Sequence, residues 1–535
     1  MNKISKIVLS FMCVSSFLVS CGPKQDPIYG QRIMEDMGET TIKNDNYRNY
    51  YEIFVRSFAD GNGDGIGDLK GIKEKLDYIK DLGYSGIWLM PINVSPSYHK
   101  YDVQNYYEID PSYGTMDDLK SLINECHKKD IKIILDLVIN HSSTRCEYFT
   151  KSIIAFEKAY ITYEDLTEED QKFKDFYSFF LSKDDPNAKG KTLYKVTNKN
   201  FYYEANFSDS MPELNFDSEY VKEEIKKISK FYLDMGMDGF RLDAVKYYYF
   251  NNTKKNTEFL KEFTNYCKSI NENSYLVGEC WDSESTIKSY YESGIDSLFY
   301  FPSSTSNPSN FLINSINNDG SWCNNYIQGL MRMVETSKQI PAPFLDNHDM
   351  SRLSSTSIEF NKFMYGLLSM LNGTTFTYYG DEVGMIGSVT PDQNVRISMP
   401  WGEKEYQTDQ LSGITKAEYP NGTVKEQLED ENSILNYYKK ANYLRNKFKE
   451  IARGRVELIE QNKENSYLII NKNYEGSDLK IVINFSQIRN IELDLNNYKN
   501  YEVVGQLVVD DSNKFIGKKD NRIIIPPYGI ALIKD

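Results

Sequence analysis

The 535 residues, 40% hydrophobic and 26% charged, make a globular chain long enough for two or three domains with large cores. A net charge of −15 argues against nucleic acid or an anionic membrane surface as a partner, because both would repel it, whereas a neutral polymer meets no such penalty. Of seven cysteines, two fall within the first 21 residues; the remainder is odd in number and has no CxxC spacing, so neither a dense disulfide framework nor a zinc site is implied.

The chain opens with Lys3 and Lys6 and an apolar stretch over 7–19, too short to span a bilayer as a mature helix and typical of an export signal. Leu18-Val19-Ser20-Cys21 reads as a bacterial lipobox, in which Cys21 is lipidated and becomes the first mature residue. The alternative is an ordinary secretory signal with a chance cysteine. In both cases the protein is exported, and it meets a membrane only through that lipid anchor. Residues 1–20 are thus a signal peptide, and 21–46, rich in Pro, Gly, Lys and Asp, are expected to be a flexible tether.

A strand is expected over 51–55. After it, Asp60-Gly61-Asn62-Gly63-Asp64-Gly65-Ile66-Gly67-Asp68 places oxygen-bearing side chains at alternate positions with glycine at the turn, as in the first part of an EF-hand loop. Gly71 stands where that motif has its bidentate glutamate. Asp68 is expected to cap a helix over 69–82, with Leu69, Ile72, Leu76 and Ile79 on one face. Strands at 86–90 and 131–137 alternate with a helix at 116–129, the rhythm of a parallel sheet. His99 and Tyr101 follow one of these strands and Asn140-His141 the other, while His127 is expected on the surface of the helix. At 142–211 the rhythm breaks into a polar, Tyr- and Lys-rich stretch too long for a βα loop, which predicts an inserted domain or a functional loop.

Beyond Met211-Pro212-Glu213-Leu214-Asn215-Phe216-Asp217, helices at 218–235 and 257–270 frame Gly239-Phe240-Arg241-Leu242-Asp243-Ala244-Val245-Lys246. Here Phe240 and Leu242 alternate with Arg241 and Asp243, the period of a strand. An Arg two residues before an Asp shares its face, so the guanidinium can fix the carboxylate and hold it ionised. Glu279 ends a second apolar run at 275–278, and Asn347-His348-Asp349 follows a third at 342–345. Further strands are expected at 297–301 and 375–379, with a last amphipathic helix at 434–448. From about residue 454 the chain turns to short strands at 455–460, 466–470, 479–485, 491–495, 501–509 and 522–525, separated by turn residues, as in a β-sandwich. Acids and imidazoles therefore sit just after successive buried strands, where parallel α/β folds keep their chemistry.

These motifs, in this order and over nearly the whole mature chain, resemble glycoside hydrolase family 13, the α-amylase family. The resemblance implies a (β/α)8 TIM barrel over 47–141 and 212–450, a domain B inserted at 142–211 after the third strand, and a C-terminal β-sandwich over 451–535. It implies Asp243 as nucleophile, Glu279 as acid/base and Asp349 as stabiliser of the transition state. It further implies sugar contacts from His99, Tyr101, His141, Arg241, His348, Asp392 and Arg396, with Lys246 on the leaving-group side and Asp102 structural. Calcium is implied at Asp60, Asn62, Asp64, Asp68 and the Ile66 carbonyl. A second calcium between barrel and domain B is in doubt, because Tyr247 replaces a histidine that many α-amylases use there. The leading Met211 of its motif resembles neopullulanase-like and intermediate members. Cys280, beside Glu279, is read as a packed thiol. The expected activity is retaining hydrolysis of α-1,4-glucosidic bonds in starch, glycogen or maltooligosaccharides. The alternatives are an α-glucosidase, a neopullulanase-like hydrolase or a glucanotransferase on the same scaffold, or a non-catalytic glycan-binding lipoprotein, a class expected to lack the three acids.

Overall fold

The computed structural model describes residues 25–535 except 27, 36–37, 305–313, 315–319, 338, 354–356, 495, 497–501, 512 and 535. The signal sequence and Cys21 lie outside the described residues. Seven parallel strands lie side by side in the order Ser297–Leu298, Tyr275–Gly278, Gly239–Leu242, Lys132–Leu137, Gly86–Leu89, Asn49–Ile53 and Thr375–Tyr378. The segment 342–344 closes the circle by bridging Phe299 on one side and Phe376 on the other, both in parallel. The chain therefore folds as the TIM barrel that the family resemblance implies, built on the parallel sheet that its alternating strands and helices predict.

The barrel interior is an aromatic stack. Tyr50 lies 5.4 Å from Tyr275 and 5.0 Å from Phe376, ring to ring. Above them Trp88 packs on Phe299 at 5.4 Å, and Phe299 on Phe376 at 4.8 Å. This solid filling leaves the next layer of inward side chains, two residues further along each strand, as a rigid floor. That layer is charged, and it is where the site begins.

Domain B contributes helices Glu147–Glu157 and Glu168–Phe173 and an antiparallel sheet in which Tyr202–Glu204 lies between Phe179–Phe180 and Leu193–Lys195. At the other end of the chain, Arg455–Asn462, Tyr467–Tyr474, Ser477–Asn484, Ile530–Lys534 and Glu502–Leu507 form one antiparallel sheet. A second faces it across a core that includes Ile469, Val482, Leu493, Ile523 and Ile533, the sandwich expected from the sequence.

Two expectations need correction. The segment read as a flexible tether is partly a strand ribbon: Gln25–Asp26 pairs with Gly30–Arg32, and Gln31 pairs with Lys518 in the second sheet of the C-terminal domain. Tyr29 supplies the reason, since it buries against Phe515 and Ile524, a long-range contact that local composition does not encode. The helix expected over 69–82 breaks at Lys75 into Leu69–Glu74 and Leu76–Asp81. Lys75 is drawn away to Glu403, 2.5 Å distant, and lies 3.5 Å from the Tyr406 ring centre. His127 lies exposed on its helix as expected, with its Nε2 2.8 Å from the buried Asp238 carboxylate.

Candidate active site

The Gly239–Leu242 strand delivers the central charges. Arg241 stands beside Asp136 on one neighbouring strand and Val277 on the other, and Leu242 beside Gly278, so Asp243 and Glu279 emerge side by side one residue later. Gly239 is required at φ +146°, where a Cβ would lie 1.9 Å from the Tyr275 carbonyl oxygen. Just past the strand Ala244 takes a left-handed conformation, φ 49°. There its amide donates to Glu279 Oε2 at 3.0 Å, a strained turn put to use in holding a carboxyl.

Arg241 is fully buried and ties three acids together. Its Nη1 donates to Asp243 Oδ1 at 2.5 Å and to Asp136 Oδ1 at 2.8 Å, and its Nη2 lies 3.1 Å from Glu279 Oε2. Trp88 supports it from below, 5.2 Å away. Burial pushes the carboxyls of both Asp243 and Glu279 up, with Arg241 opposing and Asp349 adding to the rise. Asp243 holds the shorter contact to the guanidinium, so of the two Glu279 is the better proton carrier. Asp136 is raised to about 7, by burial first.

Asp349 is set apart. Burial would raise it, but His348, with Nε2 2.9 Å from Oδ2, and Arg396, with Nη2 3.2 Å from Oδ1, hold it well below the usual carboxylate range. His348 in turn is pushed up to about 10, because Asp349 and Glu52 outweigh burial. Its Nδ1 lies 2.5 Å from Glu52 Oε1, and it also contacts the Tyr101 hydroxyl at 2.7 Å. His99 and His141 are lowered to about 4, chiefly by burial, and are neutral where His348 is charged. His141 Nε2 is buried with no hydrogen-bond partner among the described residues.

These groups open onto one cleft of about 370 Å³, lined by Asp243, Glu279 and Asp349 together with His99, Tyr101, His141, Asp392 and Arg396. Arg241 and His348 lie buried directly behind it. Lys246 is the exception among the expected residues: it does not line the cleft but donates to the Trp281 carbonyl and to Asp282, both at 2.8 Å. Sequence reasoning missed Trp281, Phe207 and Ser208, which also line the cleft together with Met211, the leading residue of the 211–217 motif, and Tyr98, which bonds Asp392 and accepts from Arg396 at 3.0 Å. It also missed Glu52 and Asp136 behind the cleft. A lone acid inside an apolar strand was the available signal for those two, and proximity to Glu279 for Trp281. Phe207, brought in from domain B, has none.

The Asp60–Asp68 loop offers only oxygen donors, which suits a hard cation such as calcium. Asp68 is raised by burial first and then by the charges of Asp60 and Asp64, a repulsion that a bound cation would relieve. The loop carboxylates accept from its own amides, Asp60 from Gly65 at 2.7 Å and Asp64 from Ile66 at 2.8 Å. Among the described residues no three His, Cys, Asp or Glu side chains converge as a metal site. At the junction of domain B and barrel, Asn140 bonds Glu213, and the Lys191 ammonium lies 2.6 Å from Glu204. Cys280 is buried, its thiol pushed up to about 12 by burial, as a packed thiol should be.

The family described as "Alpha amylase, catalytic domain" matches residues 52–454. "Alpha-amylase 3" of Dictyoglomus thermophilum is 37% identical over 507 residues, covering 91% of this chain and 93% of that protein. A 4-alpha-glucanotransferase of Thermotoga neapolitana is 29% identical, covering 82% of this chain and 95% of its own length. Among solved structures, Amy13B of Eubacterium rectale superposes with a TM-score of 0.85 at 35% identity, covering 93% of this chain and 97% of that one.

Proposed function

The chain belongs to glycoside hydrolase family 13, the α-amylase family, and is a glycoside hydrolase; from that premise we propose that it cleaves α-1,4-glucosidic bonds of starch, glycogen or maltooligosaccharides with retention of configuration. The observation that carries this reading is the unequal treatment of three acids in one cleft. Asp243 is clamped by Arg241, Asp349 is held ionised by His348 and Arg396, and Glu279 is buried and raised.

In this reading Asp243 attacks the anomeric carbon while Glu279 gives its proton to the leaving oxygen. The covalent glycosyl intermediate is then hydrolysed by a water that Glu279, now ionised, deprotonates. Asp349 stabilises the positive charge that develops on the sugar ring, and His141 Nε2 and Arg396 stand where sugar hydroxyls can meet them. Calcium in the Asp60 loop would be held by Asp60, Asn62, Asp64, Asp68 and the Ile66 carbonyl and would supply stability, not chemistry.

The similarity to a 4-alpha-glucanotransferase favours one second reading, transfer to a sugar acceptor in place of water, since the acids serve both. Product analysis on maltotriose, starch, pullulan and isomaltose decides between them. From maltotriose, glucose and maltose of retained α configuration are expected, and maltooligosaccharides longer than the substrate as main products would favour transfer. Products of inverted configuration would overturn the mechanism. Export and anchoring through Cys21 complete the proposal.

A further inference from the structure

Chain length sets a limit on how far any anchor at Cys21 can stand from the folded protein. Only residues 22–24 separate Cys21 from Gln25, where the first strand begins. A fully extended chain covers roughly 3.3–3.6 Å per residue, so the four steps reach at most about 14 Å. The ribbon that follows is docked, not loose. Gly30 packs so closely on the neighbouring strand that a Cβ there would lie 2.4 Å from the Lys518 carbonyl oxygen, and Tyr29 is buried 5.2 Å from the Phe515 ring.

The turn of that ribbon carries Ile28, 60% exposed, and the Tyr29 hydroxyl bonds Asn490 at 3.4 Å, two residues from Ile488, which is 85% exposed. Among the described residues, the only other large apolar side chains exposed to 60% or more are Met34, just beyond the ribbon at 70%, and Tyr163 in domain B at 81%. Ile154, Ile161 and Ile358 are exposed to 38–49% elsewhere, but among the described residues the two isoleucines exposed to 60% or more both lie beside the ribbon through which the chain leads to Cys21. The net charge of −15 opposes attraction to anionic headgroups, so any contact here must be carried by apolar burial.

We propose that the Ile28 turn and the Ile488 loop form a membrane-contact face, resting on the lipid surface into which the acyl chains of Cys21 insert, so that the β-sandwich is the membrane-proximal part of the enzyme. This rests on the anchoring of Cys21 proposed above, and the experiment separates the two claims. Full-length acylated protein carrying Ile28→Cys, Ile488→Cys or Tyr163→Cys is labelled with a fluorophore and reconstituted in phosphatidylcholine vesicles doped with spin-labelled lipid. The five described native cysteines are buried and leave the introduced thiol as the reactive one. Labels at 28 and 488 should be quenched several-fold more than the label at 163. Quenching at 488 no greater than at 163, with Cys21 acylated by mass spectrometry, overturns the docking face alone. An unmodified Cys21 overturns the anchor and the face with it.

Discussion

Arg241 sets the electrostatics of the site, since one buried guanidinium faces Asp136, Asp243 and Glu279, and replacing single acids should separate their roles. Asp243→Asn should abolish turnover. Glu279→Gln should lose roughly 10²–10⁴-fold on natural substrates yet still form the intermediate from an α-glucosyl fluoride, and azide should rescue it to a glycosyl azide of retained α configuration. Asp349→Asn should lose roughly 10²–10³-fold in kcat while still binding oligosaccharide. Near-normal activity of Asp243→Asn on maltooligosaccharides would remove it as the nucleophile. His348 carries the pH prediction. Its folded pKa of about 10 exceeds the roughly 6.5 of an unfolded histidine, so its contribution to stability is fully present below about pH 6.5. That contribution is lost as pH rises through about 10. The Tm of the wild type should fall across that window, whereas His348→Gln should have a lower Tm at neutral pH and a flatter profile. Parallel profiles for the two proteins would show that the imidazolium does not matter.

At the scale of the element, the Asp60–Asp68 loop joins the first barrel strand to the helix that Asp68 caps through the Gly71 amide. A cation there would hold the entry to the barrel and leave the cleft untouched. A ligand that binds only the folded state stabilises it by mass action, about 2.7 kcal/mol at a hundred times its Kd. Chelation should therefore lower the Tm of the wild type, and Asp64→Ala should remove most of that sensitivity with little change in kcat. A wild-type Tm indifferent to chelator, with no metal by elemental analysis, would leave the loop as a turn stabilised by its own amides. Domain B, by contrast, has a direct hand in the cleft. It brings Phe207 to within 5.3 Å of the His141 ring and 4.9 Å of the Tyr247 ring, so the wall facing the barrel is aromatic.

For the whole molecule, the anchor proposed at Cys21 would decide where the enzyme works. Mass spectrometry of the mature protein should find its amino terminus at Cys21 bearing acyl chains, and Cys21→Ser should release the protein into the medium. A soluble wild type beginning elsewhere would refute the anchor. By itself the sequence determined the parallel α/β repeat, the strand-rich tail and the strand-end acids, because a two-residue period and a charge after an apolar run are local signals that survive any tertiary arrangement; the closed barrel was implied by the family resemblance of those motifs. Arg241 and Asp243 could be paired from their spacing alone. Only the tertiary structure decided which groups surround them. Glu52 reaches His348 across 296 residues, Tyr98 reaches Asp392 across 294, and the N-terminal ribbon reaches the C-terminal sheet. The same holds for the break at Lys75, drawn to Glu403, and for the wall that domain B lends the cleft. Such contacts depend on shape and burial between distant segments, and neither composition nor period carries that information.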